Sequence, residues 1–283
     1  MVQTDLLRQL YKRIPITFGP FPGPRQSFAG RRWDGSNSSS VEAYITFKAS
    51  QNTVKRLLPD VFTFQEPTRD AFVTLAPKEL FNLEWLGGRG YRLYSLYIHG
   101  VKYEAADGTT YNGTYIPVLW EDLADPIISG REELGYPKLF ADLHITRTET
   151  SYAARASWKG TEFSAFQLNS LREIREDIPW RLAPNDAGID DAVGQPGTAD
   201  AEYPVFIPAA EEADRQAVTL LRRFSAPPEQ SKLSWHQRDS RFLPTLHHIV
   251  QQIGHIRPLE IVAAGVVEKR GIGDLSSARR IDK

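Results

Sequence analysis

The chain has 283 residues, with 34 lysines and arginines against 35 aspartates and glutamates, which leaves a formal net charge of −1. This balance provides no global positive field to hold nucleic acid or an anionic membrane surface, so a small molecule is the favoured partner. Because the sequence contains no cysteine, it excludes disulfides, thiolate metal sites and cysteine nucleophiles.

The N-terminal segment is predicted to be a short arm laid over the body of the protein. Its amphipathic start is stopped by Pro15 and by the loop FGPFPGPRQ, so we assign residues 1–30 to the arm. The segment carries charges throughout and lacks the apolar core of a signal peptide. No window approaches the roughly 18 apolar residues of a membrane helix. We therefore expect a cytoplasmic protein that does not bind membranes.

The next part of the chain is predicted to be rich in strands. VEAYITFKAS alternates as a strand does, and QNTVKRLLP predicts a short helix closed by Pro59. Over about a hundred further residues, most segments alternate large apolar with polar residues, as expected for antiparallel sheet with one dry face. These segments are DAFVTLA, FNLEWL, YRLYSLYIHGVKYEA, GTYIPVLW, FADLHITRTET, SYAARASWKG and TEFSAFQLN.

The C-terminal third is predicted to contain one long loop. Between Pro184 and Pro204 the composition shifts to Asp, Gly, Ala and Pro. We interpret residues 185–203 as an excursion within a single domain of residues 1–283, because the following strand AVTLLRRF is too short to begin a separate core. RFLPTLHHIVQQIGH then predicts a helix, PLEIVAAGVVEKR a strand and residues 271–283 a tail.

Common catalytic motifs are missing from the sequence, including the P-loop, G-x-S-x-G and H-E-x-x-H. His247, His248 and His255 lie on or beside the late helix without a carboxylate or third ligand at helical spacing. We interpret them as structural and expect no metal. His99, in a strand of alternating aromatic residues, is either a general acid or base or a hydrogen-bonded core histidine, and the sequence leaves both readings open.

Lys138, in the segment GREELGYPKLF, lies in an apolar context that is unusual for lysine. Pro137 fixes the local backbone, and Tyr136, Leu139 and Phe140 surround the amine. Loss of hydration there would favour the neutral amine, which is the form that carbonyl addition and Schiff-base formation require. The alternative is an ordinary solvated lysine.

The segment ISGREELGYPKLFADL resembles the lysine-bearing region of the acetoacetate decarboxylase superfamily, which has a G-R-E stretch, an aromatic-Pro-Lys sequence and then a strand. GTYIPVLWEDLADPIISGRE is similar to the approach strand and turn. ITFKASQNTVKRLLPDVF is similar to the early strand-helix-Pro unit. The resemblance covers most of the chain and is sharpest over residues 130–142.

The resemblance implies an α+β fold, namely a mainly antiparallel, cone-like β-barrel with peripheral helices and an apolar pocket. The family's Schiff-base lysine falls on Lys138, with Tyr136 beside it in the substrate site. An arginine of the family's substrate site falls in FAGRRW, on Arg31 or on its neighbour Arg32. We expect a homo-oligomer that needs no cofactor.

The sequence departs from the decarboxylase pattern at the acid and base groups. Leu139 replaces a second lysine, so desolvation would have to activate Lys138 without the neighbouring cation known from acetoacetate decarboxylase. Of the family's two glutamates, one falls near Tyr97 to His99, where there is none. The other falls in the uncertain register of Phe72 to Thr74, with Glu84 as an alternative. The reaction could therefore differ as well.

These features predict a lysine-dependent Schiff-base enzyme, a carbon–carbon lyase acting on a keto acid or related carbonyl compound, with decarboxylation of a β-keto acid as its reaction. Lys138 would form the iminium, Arg31 would hold a carboxylate, and His99 or Tyr97 would move protons. Three alternatives are an aldolase-dehydratase, a cyclase or dehydratase of secondary metabolism on the same scaffold, and a non-catalytic small-molecule binding protein.

Overall fold

The secondary structure is dominated by β-strands. The computed structural model describes residues 23–24, 27–31, 33–104, 108–175, 192–193, 205–206, 218–271 and 279–280. The strands are β1 (Ser39–Ala49), β2 (Phe62–Phe64), β3 (Ala71–Leu83), β4 (Arg89–Glu104), β5 (Thr110–Glu121), β6 (Lys138–Phe140), β7 (Asp142–Arg147), β8 (Ser151–Trp158), β9 (Thr161–Asn169), β10 (Arg172–Glu173), β11 (Ala192–Val193), β12 (Val205–Phe206), β13 (Thr219–Ser225), β14 (Ser231–Trp235), β15 (Glu260–Arg270) and β16 (Arg279–Arg280).

Helices in the described ranges are short and lie between strands. The α-helices are α1 (Gln51–Val54), α2 (Ala124–Leu134) and α3 (His247–Gly254), and 3₁₀ turns span Lys55–Leu57, Glu84–Leu86 and Pro228–Gln230. None of these helices has the length and hydrophobicity needed to cross a bilayer. The predicted helix after β1 and the predicted late helix are both present, the latter shorter than predicted.

The described strands form a large sheet and a small sheet. The large sheet has the order β10-β13-β15-β1-β3-β4-β5-β11-β12-β16, with β2 added to β4 and β6 added to β5. The small sheet has the order β14-β9-β8-β7. All pairs are antiparallel except β5 with β6 and β5 with β11. The predicted antiparallel α+β class is thus confirmed, whereas a closed cone is not, because the pairing of the described strands leaves two open ends.

One face of the large sheet, the core face, packs against the small sheet through aromatic residues. The indole of Trp120 lies 5.3 Å from the ring of Phe163 and 5.7 Å from that of Trp235, measured between centroids. Across the same interface the hydroxyl groups of Tyr94 and Ser164 lie 2.8 Å apart, within hydrogen-bonding distance. Burial of these large rings supplies much of the apolar surface that stabilises the fold.

The opposite face of the large sheet, called the lysine face, is also buried over its central strands. Apolar side chains of the sheet's own strands form a second apolar cluster on it, made of Tyr44, Ala76, Leu93, Tyr97, Ile116, Leu119 and Val267. Glu42, Ser95 and Glu121 lie on this face too, because each is two residues from a cluster member on its own strand. The prediction of one dry face is therefore wrong, since the tyrosines that look polar in an alternating pattern are packed in this cluster.

Three elements differ from the sequence prediction. DAFVTLA and the first half of FNLEWL belong to one strand, β3, in which Asn82 has a φ of +56°, and the second half of FNLEWL is the 3₁₀ turn Glu84–Leu86. FADLHITRTET is split between β6, in the large sheet, and β7, in the small sheet. Helix α2 was not predicted. It joins β5 to β6, and a crossover of this kind is what two parallel neighbouring strands require.

The packing predicts that Trp120→Ala lowers the free energy of unfolding by about 3–5 kcal/mol, because it leaves a cavity among rings that cannot collapse fully. Trp120 is fully buried. Urea denaturation followed by circular dichroism measures the loss. The matched control is Phe242→Ala, whose side chain is 54% exposed and whose loss should stay within about 0.5 kcal/mol. Equal losses in the two variants would contradict this packing.

Candidate active site

The backbone of Lys138 is fixed on both sides. Lys138 is the first residue of β6 and pairs with Leu119 of β5. Its N–H donates to the carbonyl of Tyr136 (2.8 Å), while the carbonyl of Pro137 accepts from the N–H of Leu119 (3.1 Å). The guanidinium of Arg131 donates to the carbonyl of Lys138 (2.9 Å). The arginine of the G-R-E stretch therefore holds the lysine's main chain in place.

The side chain of Lys138 occupies a space that Gly130 leaves open on α2. A Cβ added to Gly130 would lie 2.4 Å from Cε of Lys138 and 2.6 Å from both Cδ and Nζ. Helix α2 ends at Gly135, which adopts the left-handed conformation with φ of +63° and turns the chain back toward Tyr136. The glycine of the G-R-E stretch is therefore required by the lysine side chain itself.

The ammonium group of Lys138 is buried and has three neighbours. Only 8% of the residue is exposed. Nζ lies 2.9 Å from Oε1 of Glu121 and donates to the carbonyl of Pro126 at 3.0 Å. It also lies 5.5 Å from the ring centroid of Tyr136, within the range of a cation–π interaction. The lysine predicted to be desolvated is thus buried, and a carboxylate accompanies it.

Sequence reasoning missed Glu121. Its side chain is fully buried at the end of β5, and Oε2 has no hydrogen-bond partner among the described residues. Burial raises the pKa of Glu121, the ammonium of Lys138 opposes that rise, and the charge of Asp122 adds to it. An acidic residue ending the apolar run IPVLW was the available signal, because alternation places it on the same face as Leu119.

Tyrosines and small residues surround the pair. Burial, together with the charge of Glu121, raises the pKa of Tyr91 well above its usual value. Across the sheet, Lys138 pairs with Leu119, Leu119 pairs with Ser95, and Ser95 pairs with Ala76. Two small residues therefore lie beyond Leu119 in this row of paired positions. Oγ of Ser95 is buried and has no hydrogen-bond partner in the described part of the chain.

His99 occupies a separate position on the lysine face. Its Nε2 lies 2.7 Å from Oγ1 of Thr74 and its Nδ1 lies 3.0 Å from Oγ1 of Thr114. Burial lowers the pKa of His99 to about 3, so the ring is neutral at neutral pH. Thr114 is five residues from Leu119 along β5, roughly 16 Å at the usual rise per residue. The structure therefore does not bring His99 into contact with Lys138.

The remaining predicted site residues lie at different places. Tyr97 is buried in the second apolar cluster and stacks on His99. Arg31 forms an ion pair with Glu84 (2.8 Å), and 58% of its side chain is exposed. Arg31 and Glu84 thus lie at the surface, whereas Tyr97 is buried beside His99. Arg32 lies outside the described residues.

The sequence profile of the family described as Acetoacetate decarboxylase (ADC) matches residues 20–189. The chain belongs to this family. The prediction made from the lysine-bearing segment is therefore confirmed. No match was found among curated proteins.

Solved structures of the family have the same fold. An acetoacetate decarboxylase superposes with a TM-score of 0.61 at 12% identity, covering 99% of this chain and 98% of that one. The enduracididine biosynthesis enzyme MppR, complexed with pyruvate, gives 0.60 at 14% identity, covering 87% and 89%. MppR complexed with the condensation product of pyruvate and imidazole 4-carboxaldehyde gives 0.59 at 15% identity, covering 87% and 88%. At such identities the likeness shows the shared fold alone.

The burial of neutral His99 predicts a stability loss in acid. The unfolded chain takes up a proton on this residue below about pH 6.5, whereas the folded chain does so only near pH 3. Stability should therefore fall between these values by up to about 1.4 kcal/mol per pH unit. In His99→Gln, the free energy of unfolding, measured by urea denaturation from pH 7 to pH 4, should fall less steeply than in the wild type. His248→Gln, at an exposed position, should keep the wild-type slope, and equal slopes in all three proteins would refute the assignment.

Proposed function

We propose that the protein is a lysine-dependent Schiff-base lyase that acts on a keto acid or a related carbonyl compound. The observation that carries this proposal is the buried Lys138, held beside Glu121 in a space that Gly130 leaves open. This arrangement holds the amine out of bulk water at a fixed position beside an acid–base group. Membership of the acetoacetate decarboxylase family supports the same chemistry.

The reaction begins with addition of the Lys138 amine to the substrate carbonyl. The carbinolamine then loses water and becomes an iminium, whose positive nitrogen accepts the electron pair of a bond broken at the neighbouring carbon. With a β-keto acid that bond leads to the carboxylate, and carbon dioxide is released. Tyr136, Tyr91 and the second apolar cluster would keep water away from these steps.

Arg31 is proposed to bind the carboxylate of the substrate. Its present partner, Glu84, directly follows β3, and the neighbouring Trp85 packs edge-on against Tyr91, with 6.5 Å between the ring centroids. A substrate carboxylate would replace Glu84 on the guanidinium, whose planar fork suits such a ligand. The single domain, the homo-oligomer and the cytoplasmic location stay predictions.

An aldolase-dehydratase is the second candidate. The family's two glutamates fall near Tyr97 to His99 and near Phe72 to Thr74. In this protein a hydrogen bond between two neutral groups, His99 and Thr74, joins these segments. Leu139 also replaces the second lysine. The decarboxylase's acid and base groups are thus replaced, and the MppR complex with a condensation product of pyruvate shows which other ligands the fold accommodates. The same iminium on Lys138 would serve both reactions.

The first test of the proposal is covalent trapping. Incubation with a panel of keto acids and aldehydes plus borohydride should give an irreversible mass increase on Lys138, read by peptide mass spectrometry. Lys138→Ala and Lys138→Arg should abolish the adduct, because alanine lacks an amine and a guanidinium stays protonated. The control Lys159→Ala changes an exposed lysine and should react as the wild type does. Absence of any adduct would support the non-covalent cyclase or the binding protein.

Substitution of Gly130 tests the geometry of the site. In Gly130→Ala the new Cβ would displace the end of the lysine side chain from Glu121. Trapping should slow about tenfold or more, since misplacement by about 1 Å can have larger effects. Stability should fall as well, because the buried Glu121 carboxylate loses its partner, and the better helix propensity of alanine, about 1 kcal/mol, offsets only part of this loss. Ile128→Ala, at a 44% exposed position of the same helix, should trap at the wild-type rate. Equal trapping in both variants would show that the lysine does not depend on this space.

A further inference from the structure

Glu121 places a negative charge beside the reactive nitrogen. The ammonium of Lys138 lies 2.9 Å from Oε1 of Glu121, and both side chains are buried. The position after the lysine holds Leu139 and therefore no cation. An electrostatic arrangement that relies on a second cation would repel any positive charge on the nitrogen. The arrangement found here attracts it.

The overall charge of the site stays constant during iminium formation. A protonated amine and a neutral carbonyl compound give a cationic iminium and a neutral water molecule, so one positive charge remains on nitrogen. A buried cation is costly without a counter-ion. Glu121 balances the ammonium in the resting protein and is placed to balance the iminium that replaces it.

The second oxygen of Glu121 is available for chemistry. Oε2 is buried and has no hydrogen-bond partner among the described residues. Such atoms in folded proteins call for a functional or structural explanation. The small residue Ser95, whose hydroxyl is also buried and unpartnered within the described part of the chain, lies in the row next to Leu119. A ligand bound to Lys138 would supply the missing partners.

We propose that Glu121 is the counter-ion of the iminium on Lys138 and the base that removes a proton from the adjacent carbon, so that the site makes an enamine. This inference rests on the proposed function, because it requires the iminium. It names the substrate class as keto acids with a hydrogen on the carbon beside the carbonyl. The enamine would then attack the carbonyl carbon of an aldehyde, which is an aldol addition.

Glu121 would act as base, acid and base again in the course of the reaction. Glu121 first takes a proton from the ammonium of Lys138, and the free amine adds to the carbonyl, whose oxygen receives the proton that leaves nitrogen. Protonated Glu121 then gives its proton to the carbinolamine hydroxyl, which departs as water and leaves the iminium. The carboxylate next takes the proton from the neighbouring carbon. The C–H electron pair forms a C=C bond, and the C=N pair returns to nitrogen.

Other groups on the lysine face are worse placed for this role. His99 is bound to Thr74 and Thr114, roughly 16 Å from Leu119 along β5. Tyr91 has a pKa raised well above its usual value and so stays protonated at neutral pH. Glu121 has a raised pKa, which makes its carboxylate a stronger base than an ordinary one.

The experiment separates iminium formation from enamine formation in the full-length protein. Pyruvate is incubated in D₂O, and loss of its methyl proton signal is followed by NMR, while borohydride trapping is measured in parallel. The wild type should both exchange these protons and form the adduct. In Glu121→Gln, exchange should fall about 100-fold or more, the effect expected for a lost general base. The adduct should still form because the nucleophile remains, but more slowly than in the wild type because Glu121 also moves protons during iminium formation, and exchange per adduct should fall.

Two control variants distinguish a specific role of Glu121 from a general effect of losing a charged side chain. Glu79→Gln removes a carboxylate that pairs with Arg92 elsewhere on the sheet and should leave both readouts unchanged. Lys138→Ala should lose both. Equal exchange in wild type and Glu121→Gln, with the adduct present, would overturn the role of Glu121. No adduct in the wild type would instead reject the Schiff-base function.

A second variant keeps the proposal testable if glutamine prevents folding. Glu121→Asp retains the charge but shortens the reach, so exchange should fall more than adduct formation does. The wild-type pH profile is an independent readout. Exchange per adduct should rise with pH through the raised pKa of Glu121, above the range of an ordinary carboxyl group. A flat profile, or an aspartate variant with unchanged exchange, would count against Glu121 as the base.

Discussion

The ion pair between Lys138 and Glu121 is the interaction on which the rest of the site depends. Two charges can be kept out of water only if each finds a partner, and here strand β5 supplies the carboxylate and β6 the ammonium. Because β5 and β6 are parallel neighbours, a tight turn cannot join them, and α2 crosses from the end of one to the start of the other. That helix also supplies Gly130 and the carbonyl of Pro126, which receive the lysine side chain. One β-α-β unit thus supplies the carboxylate, the carbonyl and the open space that receive the amine.

The charges of this unit favour a particular kind of chemistry. A neighbouring cation would raise the energy of a positive nitrogen, whereas Glu121 lowers it and would stabilise the proposed iminium on Lys138. A paired iminium withdraws electrons less strongly than an isolated one, which weakens the drive to expel carbon dioxide. The same carboxylate can remove a proton from the adjacent carbon. His99 is neutral and bonded to Thr74, so this side chain contributes no charge to assist decarboxylation.

The parts of this arrangement that the sequence could predict are the local ones. Tyr136, Pro137 and Leu139 are sequence neighbours of Lys138, so the burial of Lys138 could be predicted from the residues next to it. Helix α2 was missed, although Pro126 in its first turn and Gly135 after its end are ordinary helix signals. The partners of Glu121 and His99 could not be found in this way, because they are set by strand pairing across distant positions. Nor could local patterns decide whether the sheet closes into a barrel, and the described strands of the large sheet leave two ends unpaired with each other.

Strand register connects the stability of the fold to the chemistry of the site. Trp120 and Glu121 are adjacent on β5 and face opposite sides, so the indole enters the core face while the carboxylate enters the lysine face. Sliding β5 by one residue would exchange them, placing a charge among aromatic rings and a tryptophan beside Lys138. Burial of Trp120 among Phe163 and Trp235 disfavours that slip by several kcal/mol. The aromatic packing on one face therefore determines that a carboxylate meets the lysine on the other.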